Sequence, residues 1–265
     1  MEGLRVLSMS SCNLSGPIDS SLARLQSLSV LKWSHNNLSS IVPDSFANFV
    51  NLTILQISSC GLNGFFPKYI FKINTLKVLY ISDNQNLSGS LPDFSSFASL
   101  RYLNLADTNF SGPLPNTISN LKNLSTVDLS HCQFNGKLPS SMSELTRLVY
   151  LDLSFNNFTC LLPSLSMSKN LRYISLLRNH LSRNLPSNHF EGLVNLVSIN
   201  LGFNSFNANV PSSVLKLPCL RTEASHDKLS GILGEFHNAS SPLLEMLDLS
   251  YNYLPGPIPL SIFNL

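Results

Sequence analysis

The sequence predicts a right-handed α/β solenoid, a curved superhelix with a parallel β-sheet on its concave face and short 3₁₀ turns and loops on its convex face. Three observations predict it. A leucine returns every 24 residues, two inward residues alternate with polar neighbours behind each return, and a Gly-x-apolar-Pro phrase closes several repeats.

The return falls at Leu4, Leu28, Leu52, Leu76, Leu100, Leu124, Leu148, Leu171, Leu196, Leu220 and Leu244, so eleven units fill residues 1–265. Unit seven shows the template, Leu148-x-x-Leu151-x-Leu153-x-x-Asn156-x-Phe158-x-Cys160-x-Leu162-Pro163. Leu151 and Leu153 alternate with polar neighbours, the period-2 pattern of a strand buried on one face. The pair recurs as Leu103/Leu105, Val127/Leu129, Ile174/Leu176, Ile199/Leu201 and Leu247/Leu249. Strands are therefore expected at residues 6–9, 30–33, 54–57, 78–81, 102–105, 126–129, 150–153, 173–176, 198–201 and 246–249. One coil cannot bury its leucines alone, so stability resides in the stack.

Behind each strand runs a second column: Cys12, Asn36, Cys60, Asn84, Thr108, Cys132, Asn156, Asn179, Asn204, Asp227, Asn252. An inward polar side chain there can bond turn backbone that would otherwise be buried unpaired. The closing phrase appears as Gly64-Phe65-Phe66-Pro67, Gly112-Pro113-Leu114-Pro115 and Gly256-Pro257-Ile258-Pro259, among others. Glycine permits a left-handed turn off the strand and proline fixes an extended one.

This wording is that of leucine-rich repeats, and the chain resembles the plant extracellular leucine-rich-repeat family over essentially its whole length. The phrase Asn109-Phe110-Ser111-Gly112-Pro113-Leu114-Pro115 is similar to receptor-like proteins of the Verticillium-wilt-resistance type. The resemblance implies a ligand-binding ectodomain segment, a glycoprotein on the extracellular (apoplastic) side of the plasma membrane, serving plant defence. It also implies an anchor after the repeats and signalling borrowed from a partner receptor kinase, with a peptide or protein as ligand.

Departures from the template carry their own expectations. Ser40, Cys160, Arg183 and Ala208 replace the column glycine, so those turns must accept a Cβ. Gln85 reads as one extra residue in the turn of unit four, and Trp33 takes an inward strand position. Unit ten, Leu220 to Leu229, loses both strand leucines, which puts a regular strand there in doubt. Neither end carries a polar cap, so the chain reads as a fragment, uncapped at both ends.

Composition excludes several function classes. Charged residues make up 12% and the net charge is +2, with no dense basic stripe, so no nucleic acid is expected as partner. No apolar run approaches the roughly 18 residues a bilayer needs, so this segment itself is expected to make no membrane contact. Cys12, Cys60 and Cys132 stand whole multiples of 24 apart, which stacks them too far apart for a disulfide. With Cys160 and Cys219, five free thiols are expected, and no metal or cofactor. Asp128 and Asp152 occupy equivalent positions in adjacent coils, a spacing reminiscent of a glycosidase pair. An open face that cannot exclude water argues for the plainer reading, and no catalysis is expected.

Asn-x-Ser/Thr sequons stand at Asn13, Asn37, Asn51, Asn86, Asn109, Asn123, Asn157 and Asn238. Five of them share one column because the sequon is itself repeat wording, so their number says little about secretion. The informative positions are those the repeat does not dictate. Between the strand leucines stand Tyr80, Asp128 and Asp152, and before the ladder position stand Asp83, Asp107, His131, Phe155, Arg178 and Phe203. Only solvent tolerance is expected to constrain them, yet aromatic and arginine residues are the usual interface anchors. These nine form the candidate binding face; a merely mixed sheet surface is the alternative, since strands favour aromatics anyway.

Three functions fit this reading. The first is a receptor-like protein that binds a ligand in defence signalling. The second is the ectodomain of a peptide-binding receptor kinase, some of which hold a peptide carboxylate with an Arg-x-Arg pair that this sequence lacks. The third is a secreted inhibitor of microbial cell-wall-degrading enzymes, whose Cys-bearing caps are missing here.

Overall fold

The computed structural model describes residues 3–182, 184–207, 209–217, 219–235 and 243–264. It forms two compact units, Met1–Asn135 and Gly136–Leu265. In the first, Val6–Ser8, Val30–Lys32, Ile54–Gln56, Val78–Tyr80, Tyr102–Asn104 and Thr126–Asp128 pair in that order, all parallel. In the second, the parallel order is Tyr150–Asp152, Tyr173–Ser175, Ser198–Asn200, Cys219–Glu223 and Leu243–Asp248. The register joins equivalent residues of successive coils, such as Leu55 to Leu79 and Leu151 to Ile174. Parallel neighbours need a long crossover, and the remaining residues of each coil supply it.

The leucine columns make the core. Leu52, Leu55, Leu79 and Leu103 are fully buried in the first unit, and Leu148, Leu151, Leu153, Ile174 and Ile199 in the second. Burying each such side chain contributes roughly 1.5–3 kcal/mol. Phenylalanines thicken the first unit: Phe110 lies 6.0 Å from Phe66, 6.3 Å from Phe71 and 6.4 Å from Phe134, ring centre to ring centre. The crossovers are short 3₁₀ segments, among them Asp44–Asn48, Lys68–Lys72, Asn116–Asn120 and Ser140–Glu144. Pro43, Pro67, Pro115 and Pro139 precede these four with φ between −64° and −71°, the value their rings impose.

The Asn column is a ladder. Asn84 accepts at Oδ1 from the backbone N–H groups of Cys60 (3.0 Å) and Leu62 (2.9 Å). Its Nδ2 donates to the carbonyls of Ile57, Ile81 and Ser82. Cys60 and Cys132 reproduce only the donor half, their Sγ atoms reaching the Trp33 and Leu105 carbonyls at 3.2 and 3.1 Å. Burial pushes both thiols up from the ordinary cysteine value, which keeps them protonated donors. Cys12, Cys60, Cys132 and Cys160 are free; the Cys219 side chain lies outside the described residues.

Several expectations need correction. A second set of parallel strands was not anticipated: Asn63–Phe65, Asn84–Gly89, Thr108–Gly112 and Gln133–Lys137 begin one, and Asn157–Cys160 pairs with His180–Leu181. Their sequence reads as turn wording, but the 24-residue stack sets these turns side by side and their backbones pair. The extra residue at Gln85 appears as a register shift between Asn84 and Ser88. Cys160 does take the glycine's left-handed conformation (φ 69°), whereas at Ser40 the neighbour Ser39 takes it instead (φ 45°). Arg183 and Ala208 lie outside the described residues.

Unit ten is the main correction: Cys219–Glu223 is a strand paired on both sides. Thr222 and Ala224 replace the inward leucines, both buried, and the register shifts between Leu220 and Arg221. Neighbouring coils template the strand although its own core residues are small. The Thr222 hydroxyl has no hydrogen-bond partner.

Two substitutions test this packing by denaturant midpoint. Leu151→Ala removes a fully buried side chain and should cost about 2–5 kcal/mol. Thr222→Val keeps the shape and removes an unsatisfied hydroxyl, so it should stabilise the chain by about 1 kcal/mol.

Candidate binding face

Where each coil leaves its strand, the residue before the ladder position turns left-handed. Ser11, His35, Ser59, Asp83, Asp107, His131, Phe155, Arg178, Phe203, His226 and Tyr251 all have φ between 52° and 60°. The sequence reading missed this, because it expected only solvent tolerance in that column. The turn aims the next side chain inward as a ladder rung while the N–H continues the pairing between coils. Asp83 donates to Ala106 and Asp107 to Ser130, and Phe155 donates to Leu177, Arg178 to Gly202 and Phe203 to Ser225.

Left-handed backbone costs an ordinary L-residue roughly 1–2 kcal/mol, and Asn and Asp tolerate it best after glycine. The first unit fills the column with Ser, His and Asp. The second fills it with Phe155, Arg178, Phe203 and Tyr251, which the backbone disfavours, and with His226, which it tolerates better. Arg178 holds its guanidinium 5.3 Å from the Phe155 ring centre and 4.9 Å from that of Phe203. Phe203 stacks on His226 at 4.1 Å, and His226 on Tyr251 at 4.0 Å. Five coils of the second unit thus present one continuous ladder of rings and guanidinium. Phe203 is 38% exposed and Tyr251 75%, with Arg178 and His226 also exposed. His226 and Tyr251 belong to this ladder although they are absent from the nine candidates; their shared column was the available signal.

The structure separates the remaining candidates. In the first unit Tyr80 and Asp128 are half-buried on the strand face, and burial pushes the Tyr80 phenol up, with Tyr102 beside it adding to the shift. Asp128 accepts from its neighbour Ser130, at the backbone N–H (3.1 Å) and the hydroxyl (2.7 Å). Asp83 is exposed and accepts from Ser82, Asp107 is half-buried, and His131 is exposed. In the second unit Asp152 departs from expectation, being only 8% exposed. Its Oδ1 accepts from Ser154 N (2.9 Å) and Oγ (2.6 Å), and its Oδ2 from the hydroxyls of Tyr150 (3.4 Å) and Tyr173 (3.3 Å). The two tyrosine rings stack at 4.5 Å over it. Asp152 braces the tyrosine pair and is not an open acidic contact.

Of the sequons, Asn13, Asn37, Asn51, Asn86, Asn109 and Asn157 are exposed and Asn123 is half-buried; Asn238 lies outside the described residues. Among the described residues no helix is long and apolar enough to cross a membrane.

The column's strain has a measurable consequence. Tyr251→Asn should raise stability by about 0.5–1 kcal/mol in chemical denaturation, because asparagine tolerates φ 56° and the exposed ring leaves no cavity.

Comparison with known proteins agrees with the repeat. Models described as leucine-rich repeat match residues 2–62 and 243–265, and one described as a leucine-rich repeat region matches 72–161. No curated protein matches the chain. The crystal structure of PEPR1–AtPEP1 is similar with a TM-score of 0.93 and 30% identity, over 100% of this chain and 37% of that one. The leucine-rich-repeat ectodomain of the plant membrane receptor kinase GASSHO1/SCHENGEN3 from Arabidopsis thaliana, in complex with CASPARIAN STRIP INTEGRITY FACTOR 2, gives 0.81 and 25%, over 99% and 34%. The ectodomain of the Arabidopsis receptor kinase HAESA, with an extended IDA peptide hormone, gives 0.84 and 28%, over 97% and 47%. The chain thus spans between a third and a half of the length of these structures. Its fold is that of non-enzymatic ligand-binding receptor domains, and the chain is not an enzyme. Repeat, core and matching models together make this chain a leucine-rich-repeat protein, similar over its whole length to parts of plant receptor ectodomains.

Proposed function

We propose that the chain is a ligand-binding segment of a plant receptor ectodomain, on the extracellular side of the plasma membrane, and that its strand face takes a peptide or protein. One observation carries this reading: Phe155, Arg178, Phe203 and Tyr251 occupy left-handed positions that the fold would fill more cheaply with Asn or Asp. Stacking among these side chains returns only part of that cost, and binding supplies a reason for the choice. The rings supply rigid apolar area, and the Arg178 fork, its faces covered by Phe155 and Phe203, keeps its N–H edge for a carboxylate or carbonyl. Within the first unit, Tyr80, Asp83, Asp107, Asp128 and His131 form a separate proposed set of contacts. Asp152 contributes by fixing Tyr150 and Tyr173.

Two receptor classes share this reading. A receptor-like protein in defence, signalling through a partner receptor kinase, is supported by the repeat wording. A peptide-binding receptor kinase is supported by the solved relatives, two of which are receptor kinase ectodomains with bound ligands. The exposed asparagines 13, 37, 86, 109 and 157 share one column and are the proposed glycan acceptors.

The test begins with peptides recovered from plant extracellular fluid on the immobilised chain. Phe155→Ala or Arg178→Ala should weaken capture of the recovered peptide by about 2 kcal/mol, roughly thirtyfold in Kd, with melting nearly unchanged. Met167→Ala, exposed on the outer arc, should leave Kd unchanged. Binding lost with Met167 and kept without Phe155 and Arg178 would place the ligand elsewhere.

A further inference from the structure

One rung of the second unit's ladder does not match its neighbours. Asn204 accepts at Oδ1 from Leu181 N (3.1 Å), and its Nδ2 donates to the carbonyls of Leu176 (2.9 Å) and Leu201 (2.7 Å). Asn252 accepts from Leu229 N (2.9 Å) and donates to Ala224 (2.7 Å) and Leu249 (3.1 Å). Each rung therefore needs one acceptor atom and one donor atom. Asp227 stands between these two, 5% exposed, and its Oδ1 performs the accepting role toward Asn204 N (3.1 Å) and Phe206 N (3.4 Å). Its Oδ2 is buried without a hydrogen-bond partner. The ladder's register leaves the carbonyls of Leu201 and Ala224 as the acceptors this rung should reach.

A carboxylate in that position sets lone pairs against carbonyl lone pairs. A carboxylic acid has nearly the shape of an asparagine amide and supplies the missing donor. We propose that Asp227 is held in the folded chain as a neutral carboxylic acid in place of asparagine, so that a proton locks this part of the second unit and its loss loosens it.

The surroundings agree. The flanking rungs Asn204 and Asn252 are uncharged, and the sequence neighbours His226 and Lys228 are exposed. On the strand of its own coil, Glu223 accepts from Asn200 Nδ2 at 2.6 Å. Asp248 is held low by hydrogen bonds from Ser250, with smaller contributions from His226 and Ser225. Burial drives the Asp227 carboxyl up to about 7, against the lowering effect of the Phe206 and Asn204 N–H groups. The same coil has the small inward residues Thr222 and Ala224, so it has little other packing to hold it.

The sign is opposite to that of an ordinary paired carboxylate. With the folded pKa raised, stability from this group is full below the unfolded value of about 4. It falls as pH rises from there to about 7, where the folded group also ionises, and then levels off.

The experiment melts wild-type chain, Asp227→Asn and Asp227→Leu from pH 4 to pH 8. Wild type and Asp227→Asn should match near pH 4. Above it wild type should fall behind, its folding constant losing up to tenfold per pH unit until about pH 7. Asp227→Leu, with neither donor nor charge, should show no such slope against Asp227→Asn. Infrared difference spectra of wild-type chain carrying ¹³C-labelled aspartate should show one protonated carboxyl at pH 5.5. A gap between wild type and Asp227→Asn that stays constant from pH 4 to 8, or widens toward acid, would overturn the proposal. Should Asp227→Asn fail to fold, absence of the protonated carboxyl in wild type would do the same.

Discussion

Each coil of this chain must turn its backbone inward at the end of a short strand, and there it buries N–H and carbonyl groups that water cannot reach. The inward ladder rung resolves this. Asparagine suits it because a single flat amide accepts from the coil before it and donates to carbonyls of both coils, as Asn84 and Asn204 do. An unmet buried polar group costs roughly 1–3 kcal/mol, so a solenoid of this kind rests on its ladder as much as on its leucines. Cysteine and threonine fill the rung only in part. Cys132 and Thr108 both donate to the Leu105 carbonyl and lie 3.4 Å apart, so two weak rungs share one acceptor and lean on each other.

The ladder has a second effect. To aim the rung inward, the residue before it must turn left-handed, and its side chain then stands on the open side of the sheet. The fold so fixes the place of an exposed column while leaving its chemistry free within a steric cost. The first unit keeps that cost low with Ser, Asp and His. The second accepts it with Phe155, Arg178, Phe203 and Tyr251, which together with His226 recover part of it by stacking on one another. Structural necessity and the proposed binding chemistry thus occupy adjacent positions in the chain, Asn204 beside Phe203 and Asn179 beside Arg178.

Much of this was legible in the sequence. Period and alternation placed nearly every strand of the main sheets to within a residue, because burial on one face and a fixed coil length leave little freedom. The second set of strands was not legible. Asn109-Phe110-Ser111-Gly112 is turn wording by composition, and only stacking turns it into paired backbone. Unit ten shows the same limit, since Thr222 and Ala224 argue against a strand locally while neighbours on both sides impose one. On the face, alternation with leucines predicts an open position for Asp152. Nothing in one coil reveals that tyrosines from two coils cover it. The left-handed column left a trace, an excess of Asp, Ser and His, but the aromatic residues of the second unit obscured it.

The stacking itself follows from the repeat. Neighbouring parallel strands lie about 4.8 Å apart, close to the separation at which flat rings and guanidinium groups attract face to face. Planar side chains placed in one column of successive coils therefore meet at contact distance without any adjustment of the backbone. The observed 4.0–4.1 Å between Phe203, His226 and Tyr251 is this coincidence realised. Faces consumed in stacking leave edges for solvent, and edges are where ring C–H groups, the histidine nitrogens and the guanidinium N–H groups lie. A column built this way holds its few donors, the Arg178 guanidinium, the His226 ring N–H and the Tyr251 hydroxyl, in place between apolar rings, so a partner bringing carbonyl or carboxylate oxygens has less side-chain freedom to quench on binding. Strain, stacking and donor presentation are then three consequences of one choice, to put flat residues where the ladder forces a left-handed turn.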